Sequence, residues 1–350
     1  MSALLRVEDL RVRFRTMGPL KALVTGTDAP FIDAVCGVSF EIRKGETLAL
    51  VGESGSGKST IARTIIGLQR ALSGSISFDG QEIAELTGAE RKRYLRRMAM
   101  MFQDPIGSLS PRLTVRSLVT EPFRIHGVKE RDAGAEAARL LRLVGLPADF
   151  ARRYPHQLSG GQARRVGIAR ALALEPDLII ADEPTAGLDV SVQGEVLNLL
   201  ARLQDELGMA ILIITHNLNV VRHMTDRMAI MYLGRFIEVG STERIFDQPG
   251  HPYTEALLAA NPEPDPDAVF NRIELKGEVP SPMRRPSGCE FHTRCRYAQD
   301  ICSRVFPEPS TSLDDLEHSF RCHFPLEREV ISGFGRPHLS RDQVMVTKEV

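Results

Sequence analysis

The segment Thr47-Leu48-Ala49-Leu50-Val51-Gly52-Glu53-Ser54-Gly55-Ser56-Gly57-Lys58-Ser59 passes from an apolar run into a glycine-rich turn that ends in Lys-Ser. An apolar run without polar alternation predicts a strand buried on both faces of a sheet. The turn fits G-x-x-x-x-G-K-[ST], a loop whose backbone N–H groups cradle phosphates. Ile61, Ile65, Ile66 and Leu68 follow at helical spacing, so a helix opens where the phosphates would sit. Gly52, Gly55 and Gly57 permit the tight turn, Lys58 brings an ammonium to the β- and γ-phosphates, and the Ser59 hydroxyl is placed for Mg²⁺. Glu53, Ser54, Ser56 and Thr60 complete the nucleotide-binding stretch. A glycine-rich turn that binds nothing is the plainer alternative, and the order strand, loop, helix weighs against it.

Outward from this loop the chain divides into regions. Strand-like alternation covers residues 1–14 and 38–51. Residues 104–157 read as helical, with Val115, Leu118 and Val119, then Leu140, Leu141 and Val144, at helical spacing. They predict a helical subdomain, about 104–176, inserted in an α/β core that spans 1–260. From 178 to 240 strands and helices alternate, as in a parallel sheet. Six of the 21 prolines (Pro262, Pro264, Pro266, Pro280, Pro282 and Pro286) mark 261–287 as an extended linker. A small cysteine-bearing module at 288–326 and a polar tail at 327–350 are expected beyond it.

Composition sets the outer limits. With 44 Lys and Arg against 45 Asp and Glu, the net charge of −1 gives no overall field for nucleic acid or anionic lipid. No apolar run approaches the ~20 residues that span a bilayer. Arg6, Glu8 and Asp9 interrupt any secretory pattern at the start. The expected compartment is the cytosol, with membrane work done by docking to other subunits.

Leu158-Ser159-Gly160-Gly161-Gln162 and Leu178-Ile179-Ile180-Ala181-Asp182-Glu183 follow the phosphate loop in that order. Together the three segments resemble the ATP-binding subunits of ABC transporters. The resemblance implies a P-loop nucleotide-binding domain that hydrolyses ATP with Mg²⁺. It assigns Mg²⁺ contact to Asp182 and the general-base role to Glu183. It places Gln103, after the strand-like Met98–Phe102, on Mg²⁺ or the attacking water, and His216, after Ile211–Thr215, on the γ-phosphate. Phe14 is the choice for stacking on adenine, with Phe31 as competitor. Read locally, Ser159 and Gln162 form a capping box at a helix start, and the two glycines expose N–H groups to an anion. The family uses this element on the nucleotide of a partner subunit, and Ala186-Gly187-Leu188-Asp189 matches the loop that crosses the dimer seam.

Phe102-Gln103-Asp104-Pro105, Ser108-Leu109-Ser110-Pro111-Arg112, Leu188-Asp189-Val190-Ser191-Val192-Gln193 and His251-Pro252-Tyr253-Thr254 resemble the oligopeptide and dipeptide importer ATPases. The likeness runs from about residue 5 to 325, nearly the whole chain. Asn217 stands where the family usually has Asp, Gln157 where Glu is common, and Thr293 and Arg296 where prolines are common.

Cys36 reads as a buried small apolar residue. Cys289, Cys295, Cys302 and Cys322 are spaced C-x5-C-x6-C-x19-C. A reducing compartment disfavours disulfides, so four thiols so close together read as a metal site. The spacing is longer than the usual zinc pairs and suits a [4Fe–4S] cluster, which some peptide-importer ATPases carry in a similar module. Zinc and metal-free thiols are the alternatives.

The expected function is the ATP-hydrolysing motor subunit of a bacterial importer for peptides or related small solutes. The implied partners are a second, related ATPase subunit forming a heterodimer, two transmembrane permeases and, indirectly, a periplasmic or extracellular solute-binding protein. The implied place is the peripheral, cytoplasmic face of the inner membrane. A soluble ABC ATPase acting on nucleic acid or ribosomes is the alternative; the chain lacks the second cassette or long coiled coil such proteins carry. Arg91, Lys92, Arg93, Arg96 and Arg97 form a basic helix face, without the interleaved aromatics that stack on bases, so no nucleic acid is expected. A module that holds ATP without hydrolysis is disfavoured by Gln103, Glu183 and His216.

Overall fold

The computed structural model describes residues 3–15, 31–104, 107–128, 132–261, 273, 275 and 277–326, and the backbone of 330–332. Pro105, Pro262, Pro264 and Pro266 lie outside the described residues, as does the rest of the expected tail.

Two sheets carry the fold. The first is antiparallel and joins β1 (Ala3–Arg15), β2 (Phe31–Arg43), β4 (Ser73–Phe78) and β5 (Gln81–Glu82) in the order β2-β1-β4-β5. Its strands alternate buried and exposed side chains, and bulges near Val7 and Leu10 bend β1 across the core. The second sheet contains β3 (Thr47–Val51), β6 (Met98–Met101), β7 (Leu178–Asp182), β8 (Ala210–Thr215), β9 (Arg227–Tyr232), β10 (Arg235–Ser241), β11 (Ser310–Ser312), β12 (Ser319–Phe320) and β13 (Val330–Ser332). Its order is β13-β11-β12-β10-β9-β3-β8-β7-β6. The strands β9, β3, β8, β7 and β6 run parallel, and every residue of β3, β7 and β8 is buried. This is the double burial the apolar runs predict, and it puts the carboxyl ends of β3, β7 and β8 side by side.

The helices are α1 (Lys58–Ile65), α2 (Gly88–Leu95), α3 (Val115–His126), α4 (Ala133–Leu143), α5 (Gly160–Leu172), α6 (Val190–Leu207), α7 (Leu218–Met224), α8 (Thr242–Asp247) and α9 (Pro252–Ala259). Thr114 caps α3 and Asp132 caps α4, each accepting backbone N–H bonds that the first turn would leave unsatisfied. Val115, Leu118, Val119, Leu140, Leu141 and Val144 are buried, and α3, α4 and α5 pack in one cluster with residues of β7 and β8. Helix α1 ends sooner than the spacing predicts. Gly67 takes φ +70, and Leu68 is 63% exposed rather than buried.

The cysteine-bearing segment does not stand apart as a module. A segment so short cannot bury enough apolar area alone, and it joins the core instead. Strand β12 pairs with β10, extending the main sheet, and Phe291 packs in one cluster with Tyr232 and Tyr253. The end of the expected linker is also docked, because the Arg285 guanidinium donates to the carbonyl oxygens of Asp33 and Leu233 and pairs with Glu290 at 2.7 Å.

Candidate functional site

The phosphate loop follows β3 and leads into α1. Gly57 adopts φ +110, and a Cβ there would lie 2.4 Å from the Ala34 carbonyl oxygen, so only glycine fits. Lys58 is 7% exposed and folds back over its own loop. Its ammonium donates to the carbonyl oxygens of Gly52 (2.7 Å) and Glu53 (2.9 Å) and to Ser56 Oγ (3.2 Å). Burial depresses its pKa, opposed by Glu183, Asp182 and Glu53. Buried positive charge on a glycine loop attracts a phosphate chain.

Asp182 ends β7 in a buried position, and burial pushes its carboxyl pKa up against the Ser59 bond. The Ser59 hydroxyl donates to Asp182 Oδ1 at 3.0 Å. A hydroxyl and a carboxylate in contact are the oxygen ligands a hard cation takes, so the donor set fits Mg²⁺. Glu183 is the next residue, with φ +50, a left-handed backbone that costs a non-glycine about 1–3 kcal/mol. The turn aims its carboxylate across the end of β8. Thr215 Oγ1 donates to Glu183 Oε2 at 3.3 Å, and His216 Nδ1 lies 2.7 Å from Oε1.

These groups share one cavity of ≈ 460 Å³, lined by Ala34, Ser54, Gly55, Gly57, Lys58, Ser59, Thr60, Gln103, Asp182, Glu183, Ile214 and His216. The size suits a small-molecule site. Sequence-predicted residues from four separate segments therefore meet there. Gly52, Glu53 and Ser56 belong to the same loop without lining the cavity. Phe14 is 37% exposed near the end of β1, Phe31 is 43% exposed on the adjoining strand, and neither lines the cavity.

Ser159, Gly160, Gly161, Gln162 and Asp189 lie outside that cavity. Ser159 Oγ accepts from the Gln162 backbone N–H, and Gln162 Oε1 accepts from that of Ser159 at 3.0 Å, the reciprocal capping box. Gly161 lies so close to α6 that a Cβ would approach Val192 Cγ1 to 2.7 Å. Asp189 caps α6 through the Val192 N–H, which with the Ser191 hydroxyl holds its carboxyl below the usual range. Two capped helix starts thus lie side by side, one of them opening on Gly160, which is exposed, and Gly161, which is half-buried.

Sequence reasoning missed Arg164. It is 2% exposed, inside α5, and its guanidinium donates to the carbonyl oxygens of Glu183 (3.1 Å), Pro184 and Ala186 (2.8 Å). It clamps the turn that carries Glu183. An arginine one turn into a helix reads as a solvated charge, so no local signal gave it away.

Cys289, Cys295, Cys302 and Cys322 line one small cavity of ≈ 10 Å³ with His251, Phe291, His292, Tyr297 and His323 among its walls. All four thiols are free, and burial pushes Cys289 up to about 11, Cys295 to about 12 and Cys322 well above the ordinary value. Four sulfur donors facing one space suit a soft metal centre chemically. Among the described residues, no group of three or more His, Cys, Asp or Glu is arranged to hold a single metal ion. Cys36 is buried on β2, as expected.

The family described as ABC transporter matches residues 35–186, and the one described as oligopeptide/dipeptide transporter, C-terminal region, matches 237–302. The oligopeptide transport ATP-binding protein AppF of Bacillus subtilis is 48% identical over 296 residues, covering 83% of this chain and 89% of AppF. Among solved structures, a dimeric ATP-binding cassette in a post-hydrolysis state bound to ADP and Pi superposes with a TM-score of 0.60 at 29% identity. It covers 68% of this chain and 98% of its own. The cbiO1 protein of Clostridium perfringens, part of an ABC transporter complex, gives 0.60 at 30% identity, covering 71% and 92%.

Proposed function

The chain belongs to the ABC transporter family, as an ATP-binding subunit of the oligopeptide/dipeptide branch, and from that premise we propose how its residues power peptide import. The observation that carries the reading is the meeting of Lys58, Ser59, Asp182, Glu183 and His216 in one cavity, with Glu183 held 2.7 Å from His216.

The triphosphate of ATP lies on the loop from Gly52 to Thr60, with Lys58 turning from its own carbonyls to the β- and γ-phosphates. Ser59, Asp182 and Gln103 hold Mg²⁺, which when bound neutralises charge on the phosphates. Glu183 takes a proton from the attacking water as the new P–O bond forms, and the bridging bond to the β-phosphate breaks to release ADP. His216 contacts the γ-phosphate and orients Glu183. Phe14 stacks on adenine from the end of β1.

Ser159, Gly160, Gly161, Gln162 and Asp189 serve the nucleotide of a second ATPase subunit, a related chain in a heterodimer. The exposure of Ser159, Gly160 and Asp189, and the place of all five outside the chain's own cavity, support this division. The permeases dock in a cavity of ≈ 860 Å³ between the core and the helical subdomain, where the exposed Leu68, Phe102 and Ile125 line the walls. The chain then works at the cytoplasmic face of the inner membrane, with the solute-binding protein engaged through the permeases. The cysteine cavity would hold a [4Fe–4S] cluster; Cys289, Cys295, Cys302 and Cys322 facing one space, none in a disulfide, support that reading.

The test is uptake of a labelled oligopeptide by vesicles that contain the chain, its partner ATPase and the two permeases. Uptake should require enclosed Mg-ATP and cease with Lys58→Ala. Uptake that continues without ATP would overturn the reading.

A further inference from the structure

Arg294 lies between Cys289 and Cys295, 241 residues from the phosphate loop, yet its guanidinium grips that loop. Arg294 Nη1 donates to Glu53 Oε2 at 2.9 Å and Nη2 to Oε1 at 3.0 Å, a bidentate pair. The Arg294 side chain is 7% exposed and that of Glu53 25% exposed. Burial works against the guanidinium charge, and Glu53 more than compensates, so its pKa rises. Such a fork fixes direction as well as distance.

Glu53 is held at two further points. Its backbone N–H donates to the Tyr253 hydroxyl at 3.1 Å, and its carbonyl oxygen accepts the Lys58 ammonium at 2.9 Å. Tyr253 is fully buried at the start of α9, with its own N–H on His251 Nδ1 at 3.0 Å. Its ring packs against Phe291 of the cysteine segment with centroids 5.3 Å apart. One residue of the loop is thus fixed by its side chain, its N–H and its carbonyl, and that carbonyl steers Lys58. One of the three restraints, the Arg294 fork, comes from the cysteine segment, and a second, Tyr253, packs against that segment's Phe291.

We propose that Arg294 and Tyr253 are positioning residues for the phosphate loop, through which the C-terminal cysteine segment sets the affinity for ATP. The proposal rests on the reading that this loop binds ATP. Neither residue touches the cavity; both act through Glu53 on where Lys58 points. Arg294 immediately precedes Cys295, so a change in how the thiols are held reaches Glu53 through a single peptide unit.

The test is equilibrium binding of a fluorescent ATP analogue with Mg²⁺ to the purified full chain, together with KM and kcat of the assembled transporter. Tyr253→Phe removes one hydroxyl and keeps the buried ring, so the fold survives. It should weaken binding a few-fold, and Arg294→Gln about ten-fold, the scale of hydrogen bonds to charged groups. Arg294→Lys, keeping charge without the fork, should fall between them and raise KM with kcat unchanged. Wild-type affinity in both Tyr253→Phe and Arg294→Gln, while Lys58→Ala loses binding, overturns the proposal. Wild-type binding by Lys58→Ala would instead remove the phosphate-loop reading beneath it.

Discussion

Arg164→Lys tests how the catalytic turn is held. The guanidinium reaches three carbonyl oxygens, those of Glu183, Pro184 and Ala186, from a site 2% exposed. An ammonium from the same backbone position can satisfy one of them. The change therefore removes about two charge-assisted hydrogen bonds, worth together about 3–6 kcal/mol at about 1.5–3 each. Against that clamp stands the left-handed backbone of Glu183, which stores about 1–3 kcal/mol and persists only while its surroundings over-determine it. The lost restraint exceeds the strain it opposes, so the turn relaxes and the carboxylate leaves His216 for part of the time. A deficit of about 1.4–2.7 kcal/mol in the competent arrangement is about ten- to hundred-fold in rate. Steady-state ATP hydrolysis by the assembled transporter should show that fall in kcat. KM for ATP should stay within about two-fold, because the phosphate loop is untouched. A wild-type kcat in Arg164→Lys, or a loss confined to KM, would refute the clamp.

Other outcomes follow from the same geometry. Ser159→Arg should abolish turnover at the site built on the partner's phosphate loop while this chain's own loop binds ATP as before; loss of binding at its own loop in a filter assay would contradict the shared site. Gly161→Ala should cost about 1–3 kcal/mol by overpacking against Val192, and Val192→Ala should recover part of it. Urea denaturation measures both, and a neutral Gly161→Ala would mean the two helix starts are not in contact. Anaerobically purified protein should contain iron, and Cys302→Ser should lose it; zinc without iron in elemental analysis rules out the cluster.

Much of this molecule is legible in its sequence because the relevant signals are local. The apolar runs at 47–51, 178–182 and 210–215 are long enough to be buried strands, and each is entirely buried. The phosphate loop, Glu183 and His216 each follow such a strand and Asp182 ends one, so a parallel sheet brings them together without further information. The capping box at Ser159 is likewise a four-residue pattern. What escapes is non-local or too short. Strands β11 and β12, of three and two residues, carry no alternation to read, so the cysteine segment looks separate when it extends the core sheet. Arg164 and Arg294 look like surface charges, because their partners are backbone carbonyls and a glutamate far along the chain. Leu68 keeps helical spacing past a helix that Gly67 has already ended, and it lines the cavity between the core and the helices at 115–172 instead.

The most direct measurement is Mg-ATP turnover by the assembled transporter carrying Glu183→Gln. The substitution keeps size and the Thr215 contact but removes the base, and a positioned base contributes about 10²–10⁴-fold. The expected result is turnover reduced by that factor with ATP binding intact, since Lys58 and the loop are unchanged. Hydrolysis at the wild-type rate with glutamine at 183 would contradict the assignment of Glu183 as the base that powers transport.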